Sequence, residues 1–259
     1  MIGAIAGDII GSVYEGNPIK STDFQLFWPI SRFTDDTVLT VATGYAILNG
    51  LDYGQAYKSF GLMYPNAGYG GTFLRWLFNP ESKPYGSWGN GSAMRVSPIG
   101  WAFQTVEEVL EQAKLSSIVS HDHPEGIKGA QAVALAVFMA RTGSDKDSIR
   151  SEISSRFGYN LERTIDMIRP TYIFDVSCQG SVPEAIIAFL ESVDYESAIR
   201  LAISLGGDSD TLACIAGAIA DAFYRKIPGD IVAEAKARLS KHLLEVVEQF
   251  EKDYNIRPT

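Results

Sequence analysis

Apolar residues recur along this chain at the three- to four-residue spacing of helices almost from end to end. Ile2, Ile5, Ile9, Ile10 and Val13 alternate with Gly3, Ala4, Ala6, Gly7 and Gly11. That pattern predicts a helix over 2–14 whose small residues admit a second helix at close range. A run over 38–48 predicts another, opened by Asp36 or Thr37 and stopped by Asn49-Gly50. Further helices are expected at about 52–62, 71–78, 105–119, 125–141, 145–156, 160–168, 182–192, 195–204, 208–224 and 229–252. Alternation of period two is nearly absent. Residues 172–176 read as extended, but five residues make no sheet. The expected fold class is therefore all-α, a compact multi-helix orthogonal bundle. Segment 79–101, rich in Gly, Pro, Ser and Trp, is the longest stretch without a helical pattern. Loops of that length inside a domain are commonly functional. No linker or low-complexity run interrupts the chain, so residues 1–259 are expected to form a single domain.

Composition narrows the class of partner. With 259 residues, 46% of them hydrophobic, the chain can bury a substantial core. Its formal net charge of −9 argues against binding to nucleic-acid backbones or anionic membranes. The N-terminal residues show neither a basic region nor a cleavage pattern, so a cytoplasmic location is expected by default. Cys178 and Cys214 lack metal-site spacing and are expected to be buried free thiols.

Candidate chemistry concentrates in two short acidic clusters, Thr34-Asp35-Asp36-Thr37 and Gly206-Gly207-Asp208-Ser209-Asp210-Thr211. Each opens a helix-like run, so one acidic residue in each could simply be an N-cap. A cap needs one such residue, whereas each cluster supplies several, and crowded carboxylates repel unless a cation joins them. The oxygen-only set Thr34, Asp35, Asp36, Asp208, Asp210 and Thr211 suits Mg²⁺, Mn²⁺ or Ca²⁺ better than zinc. Glu15, before the turn Gly16-Asn17-Pro18, is either an exposed turn residue or a carboxylate beside the metal centre.

Two glycine-rich loops, 67–72 and 88–95, offer backbone N–H groups for an anion, although neither is a P-loop or a dinucleotide fingerprint. Each alone also fits an ordinary turn. His121-Asp122-His123-Pro124 could ligate a metal, cap the following helix, or place His121 against a substrate. No nucleophile elbow or Cys-His signature supports covalent catalysis.

Taken in order, these segments resemble the ADP-ribosylglycohydrolase family. The resemblance runs through Gly3 to Asp8, Glu15, Thr34-Asp35-Asp36-Thr37, Gly68-Tyr69-Gly70, Gly89-Asn90-Gly91-Ser92-Ala93-Met94-Arg95, Ser120-His121, Ser181-Val182-Pro183 and the second acidic cluster. It implies an all-α fold with a dinuclear metal centre in a cleft, holding two divalent cations, Mg²⁺ or else Mn²⁺. The implied ligands are Thr34, Asp35, Asp36, Asp208, Asp210 and Thr211. Glu15 matches the family's flexible glutamate, and Glu15, Asp35 or Asp36 would activate water. Gly68, Tyr69, Gly70 and Gly71 match its diphosphate loop. Gly89, Asn90, Gly91, Ser92 and Met94 match its ribose and adenine-side loop, with His121 nearby. The implied activity is hydrolytic removal of ADP-ribose from a modified protein or small-molecule acceptor, with arginine linkage favoured over serine. A non-catalytic ADP-ribose-binding protein and a metal-dependent nucleotide phosphohydrolase are the alternatives.

Overall fold

Helix α1 (Ile2–Gly11) has no polar face. Every one of its residues is buried in the computed structural model, which describes residues 1–256. Its partner lies at the other end of the sequence. Gly3, Gly7 and Gly11 lie against the helix at Ser209–Tyr224, where a Cβ on Gly7 would sit 2.1 Å from the Ala213 carbonyl oxygen. One on Gly11 would sit 2.5 Å from Asp210 Cα. Gly217 returns the contact, its hypothetical Cβ falling 2.4 Å from the Gly3 carbonyl oxygen. The glycines let the two backbones touch, which fixes Ser209 and Asp210 of the second acidic cluster against the end of α1.

Gly7→Ala is expected to destabilise the fold by up to about 2 kcal/mol. The clash is with backbone, so no rotamer relieves it, and overpacking of about 1–3 kcal/mol outweighs the roughly 1 kcal/mol that alanine contributes to helix propensity. Gly16→Ala, with open space around it, serves as the neutral control. Urea unfolding of both variants measures the difference.

Around this pair the chain wraps α2 (Asp35–Asn49), α3 (Tyr53–Met63), α4 (Gly71–Phe78), α5 (Ser97–Ala102) and α6 (Val106–Ile118). There follow α7 (Pro124–Arg141), α8 (Lys146–Phe157), α9 (Ile165–Ile168), α10 (Cys178–Glu191), α11 (Tyr195–Ile203), α12 (Ser209–Tyr224), α13 (Gly229–Ala237) and α14 (Lys241–Asp253). The long α7 and α10 and the shorter α11 pack on α12, while α3, α5 and α14 pack on α2. One contiguous hydrophobic cluster runs through them, from Met1 and Ile2 to Phe250 and Ile256. Among the described residues the one pairing outside helices is an isolated antiparallel bridge between Gly89 and Ser177. The all-α expectation holds. No helix of the described residues is long and apolar enough to cross a membrane. Cys178 and Cys214 are buried and free, and burial pushes the Cys178 thiol up to about 12.

Several boundaries differ from the sequence expectation, each for a local reason. Segment 79–101 is not wholly irregular: Asn90–Ser92 forms a 3-10 turn and α5 begins at Ser97 with Pro98 in its first turn. Gly100 of α5 presses on α7, a Cβ there falling 2.6 Å from Val137 Cβ. Tertiary contact thus holds a helix that its composition hides. The expected helix 229–252 is two helices, because the Ser240 side chain accepts from Leu243 N and restarts the chain as α14. Thr164 similarly starts α9 late, at Ile165 rather than 160. Helix α10 begins at Cys178 rather than 182, capped by Ser177, and tolerates Pro183 inside it. Residues 172–176 carry no strand assignment.

Candidate active site

The helix starts place the chemistry. Helix α2 is capped by Thr34, whose side chain accepts from Asp36 N at 3.3 Å, so neither Asp35 nor Asp36 acts as the cap. Asp208 stands at the N-cap position of α12 without making a side-chain cap bond. Gly206 and Gly207 precede it in the left-handed region, at φ 72° and 74°. A Cβ on Gly207 would meet Tyr172 and the Ile173 carbonyl oxygen at 3.0 and 3.1 Å. Only glycine turns the chain here while Tyr172 and Ile173 close over it.

The two clusters, distant in sequence, meet. Thr211 Oγ1 donates to Asp36 Oδ2 at 3.3 Å. Glu15, Asp208 and Asp210 each place a carboxylate oxygen within 4.8 Å of the others. Asn90 Nδ2 donates to Asp208 Oδ2 at 2.7 Å, tying the second glycine-rich loop to the cluster. A Cβ on Gly68 would lie 3.4 Å from Asp35 Oδ1, which brings the first loop alongside as well.

These groups line one cleft of about 450 Å³, within the range of small-molecule sites. Its walls include Glu15, Thr34, Asp35, Asp36, Gly68, Gly70, Gly71, Gly89, Asn90, Gly91, Met94, His121, Asp208, Asp210 and Thr211. Two expected site residues are not among its walls. Tyr69 is buried and stacked on Phe73, with ring centroids 5.3 Å apart. Ser92 is buried, its hydroxyl donating to the Gly126 carbonyl at 2.8 Å. Both back the loops rather than line the cleft. His123 is the N-cap of α7, its Nδ1 accepting from Glu125 N at 3.1 Å.

Sequence reading passed over Asp8 as a site residue. It is fully buried under the cleft, where it accepts from Thr34 N at 2.9 Å, Thr34 Oγ1 at 2.7 Å and Thr37 N at 3.1 Å, and from the Thr37 hydroxyl. Donating to Asp8 and accepting from Asp36 N, the Thr34 hydroxyl keeps one lone pair to offer a ligand. The signal was an aspartate midway along an otherwise apolar helix, which must be paid for by hydrogen bonds. Arg32, Tyr85 and Phe174 also line the cleft without having been singled out for it, and the fully buried Arg95 lies behind its wall.

Electrostatics follow from burial and from the crowding of carboxylates, which outnumber the cations Arg32 and Arg95 at the cleft. Burial pushes Asp8 up to about 6 against the four hydrogen bonds that lower it. Burial and then Asp8 push Asp35 up to about 8. Asp36 and Asp210 are raised well above the ordinary carboxylate range by burial and by neighbouring carboxylates. Asp208 is raised mainly by burial. Glu15 is raised by burial, then by Asp208 and Asp8, with Arg32 opposing. Asp36 Oδ1 is buried with no hydrogen-bond partner among the described residues. An orphaned oxygen in an all-oxygen donor set fits a hard divalent cation. His121 is held well below its ordinary range by burial and by Arg95.

An all-α fold whose acidic cleft gathers two glycine-rich loops defines the class first, a hydrolase acting on glycosidic bonds. More narrowly, the chain belongs to the ADP-ribosylglycohydrolase family, whose model matches residues 1–256. It is 28% identical over 305 residues to the ADP-ribosylhydrolase ARH3 of Mus musculus, covering 86% of this chain and 82% of that one. The Homo sapiens ARH3 is 27% identical at 86% and 84% coverage. ADP-ribosylarginine hydrolase Tri1 of Pseudomonas putida (strain GB-1) is 27% identical over 52% of this chain and 38% of its own. A solved structure described as an ADP-ribosylglycohydrolase-related protein complex has the same fold. It superposes with a TM-score of 0.72 at 22% identity, covering 96% of this chain and 94% of that one.

Proposed function

We propose that residues 1–259 act as a single ADP-ribosylglycohydrolase-like domain that removes ADP-ribose from a modified acceptor by water attack at the anomeric carbon of the distal ribose. The observation that carries this reading is the convergence of both acidic clusters and Glu15 with both glycine-rich loops in one cleft. Thr34, Asp35, Asp36, Asp208, Asp210 and Thr211 would hold two divalent cations, with Mg²⁺ preferred to Mn²⁺ on the hardness of the oxygen donors. When bound, the cations supply Lewis-acid charge that orients the sugar hydroxyls.

The chain's own groups do the rest. Gly70 and Gly71 have open space where a side chain would be, so a diphosphate can approach their backbone and the N-terminus of α4. These N–H groups offset the repulsion that an anion meets in an acidic cleft. Gly89, Asn90, Gly91, Met94 and His121 surround the adenosine side of the ligand. Glu15, the most exposed of the clustered carboxylates, takes the proton from the attacking water. Asp35 and Asp36 stabilise the oxocarbenium character that develops at the ribose as the glycosidic bond breaks.

Arginine is the acceptor we favour. A cationic guanidinium suits a cleft with this excess of carboxylates, and Tri1 is a relative named for that linkage. A matched pair of ADP-ribosyl peptides, arginine-linked and serine-linked, separates the acceptors through kcat/KM. The arginine-linked peptide is expected to be hydrolysed at least about tenfold better, the effect of roughly 1.4 kcal/mol. The reverse ranking would overturn the acceptor choice and leave the glycohydrolase reading intact.

A further inference from the structure

Arg95 heads the largest fully buried side chains among the described residues, and its side-chain hydrogen bonds go to serines rather than to a carboxylate. Its guanidinium lies on the Tyr57 ring, 4.2 Å from the centroid. Nη2 donates to the Ser116 carbonyl at 2.9 Å and to Ser120 Oγ at 3.1 Å, while Nε and Nη1 find no partner. Burying a cation so incompletely satisfied is costly, and what it does hold is a short relay toward the cleft.

The next link is Ser120 Oγ, 2.8 Å from His121 Nδ1. A guanidinium only donates, so Ser120 accepts from Arg95 and has one proton of its own to place. Of the two groups bonded to that hydroxyl, Arg95 can only donate, whereas His121 Nδ1 can accept. The serine proton therefore goes to Nδ1. The imidazole is kept neutral by burial and by Arg95. With Nδ1 accepting, the ring's hydrogen is on Nε2.

The backbone that carries the ring is held on both sides. His121 N donates to the Ser117 carbonyl at 2.7 Å, and its own carbonyl accepts from Ser117 Oγ at 2.7 Å. Tyr85 packs on its face at 5.8 Å between centroids. Nε2 makes no hydrogen bond to the described residues and lies at the cleft beside the second loop. A Cβ on Gly91 would be 3.2 Å from it and one on Gly89 3.6 Å.

We propose that Arg95 and Ser120 are positioning residues that lock His121 as the neutral Nε2–H tautomer, so that the cleft offers one uncharged N–H donor at Gly89–Gly91 to a sugar or phosphate oxygen of the ligand. In that state His121 cannot serve as a base, because its only free lone pair is occupied by Ser120. The identity of the ligand rests on the glycohydrolase reading above, whereas the tautomer does not.

The test is two-bond ¹H–¹⁵N correlation NMR of ¹⁵N-histidine-labelled protein, with the His121 signals assigned by their loss in His121→Gln. The wild type is expected to show a neutral ring with the proton on Nε2 before any ligand is added. Ser120→Ala should give a mixed or Nδ1–H pattern, and Ser120→Thr should restore the original one. In parallel, KM for an ADP-ribosyl substrate should rise about tenfold in Ser120→Ala, with kcat falling less, and recover in Ser120→Thr. A wild-type ring that is charged or protonated on Nδ1 would overturn the proposal without reference to any variant. So would a Ser120→Ala protein that keeps both the Nε2–H pattern and the wild-type KM. If wild-type protein shows the expected tautomer but neither binds nor turns over ADP-ribosyl compounds, the functional reading fails and the tautomer lock stands.

Discussion

Asp210→Ala is expected to abolish turnover, and in metal-free buffer the variant should be at least as stable as the wild type. Both effects have one source. Asp210 is raised well above the ordinary carboxylate range by burial, then by Asp208, Asp36, Asp8 and Glu15, so its charge is a cost to the folded chain until a cation is bound. Deleting it relieves repulsion and removes a ligand. Losing several kcal/mol of transition-state stabilisation corresponds to about 10³-fold or more in rate. Asp208→Ala should match it in activity, though it also frees Asn90 Nδ2 from its 2.7 Å partner and loosens the second loop.

The pH dependence has a definite sign. An acid whose folded-state pKa is raised loses stability as pH rises from its unfolded value to its folded one. For Asp8 and Asp35, raised from 3.8 to about 6 and about 8, that window spans the range from pH 4 to pH 8. Chelated wild-type protein should therefore melt lower at pH 8 than at pH 5.5, and saturating Mg²⁺ should raise Tm more at pH 8. Asp210→Ala should show little Mg²⁺ response at either pH. Thermal unfolding of both proteins with Mg²⁺ and with chelator reads all of this. Full activity in the Asp208 and Asp210 variants would sink the metal-centre assignment.

Glu15→Gln should cost rate rather than affinity. The side chain is exposed beside Asp208 and Asp210, outside the buried floor of the site, and its pKa is raised toward the range in which a base works. Removing a general base typically costs about 10²–10⁴-fold, here in kcat. ADP-ribose affinity, which depends on the glycine loops, should change less than about threefold, within roughly 0.7 kcal/mol. Single-turnover kinetics beside calorimetric titration separates the two. A turnover number equal to the wild type would remove Glu15 from the mechanism.

The acidic clusters were legible in the sequence because their chemistry is local: several carboxylates in four or five residues exceed what a helix cap needs. The structure accounts for the surplus, since Thr34 caps α2 and the Asp208 side chain makes no cap bond. Asp8 was less legible, because its role depends on α1 passing beneath residues 34–37, a contact that no spacing within the helix encodes. Tyr69 and Ser92 show the converse. A motif names the residues of a loop, but which side chains turn inward depends on the packing partners, Phe73 for one and Gly126 for the other. Helix α5 was hidden for a related reason, since its Gly and Pro weaken the periodic signal and contact with α7 supplies what propensity lacks.

Metal-dependent cleavage of a glycosidic bond is the central claim, and mass spectrometry of the products tests it most directly. Arginine- and serine-linked ADP-ribosyl peptides are incubated with the protein in Mg²⁺ and, separately, with chelator. The expected result is free ADP-ribose and the unmodified peptide from at least one substrate, with both products lost on chelation. Release of AMP or orthophosphate would instead identify a phosphohydrolase, and intact peptides in every tube would contradict the assignment of hydrolysis to this cleft.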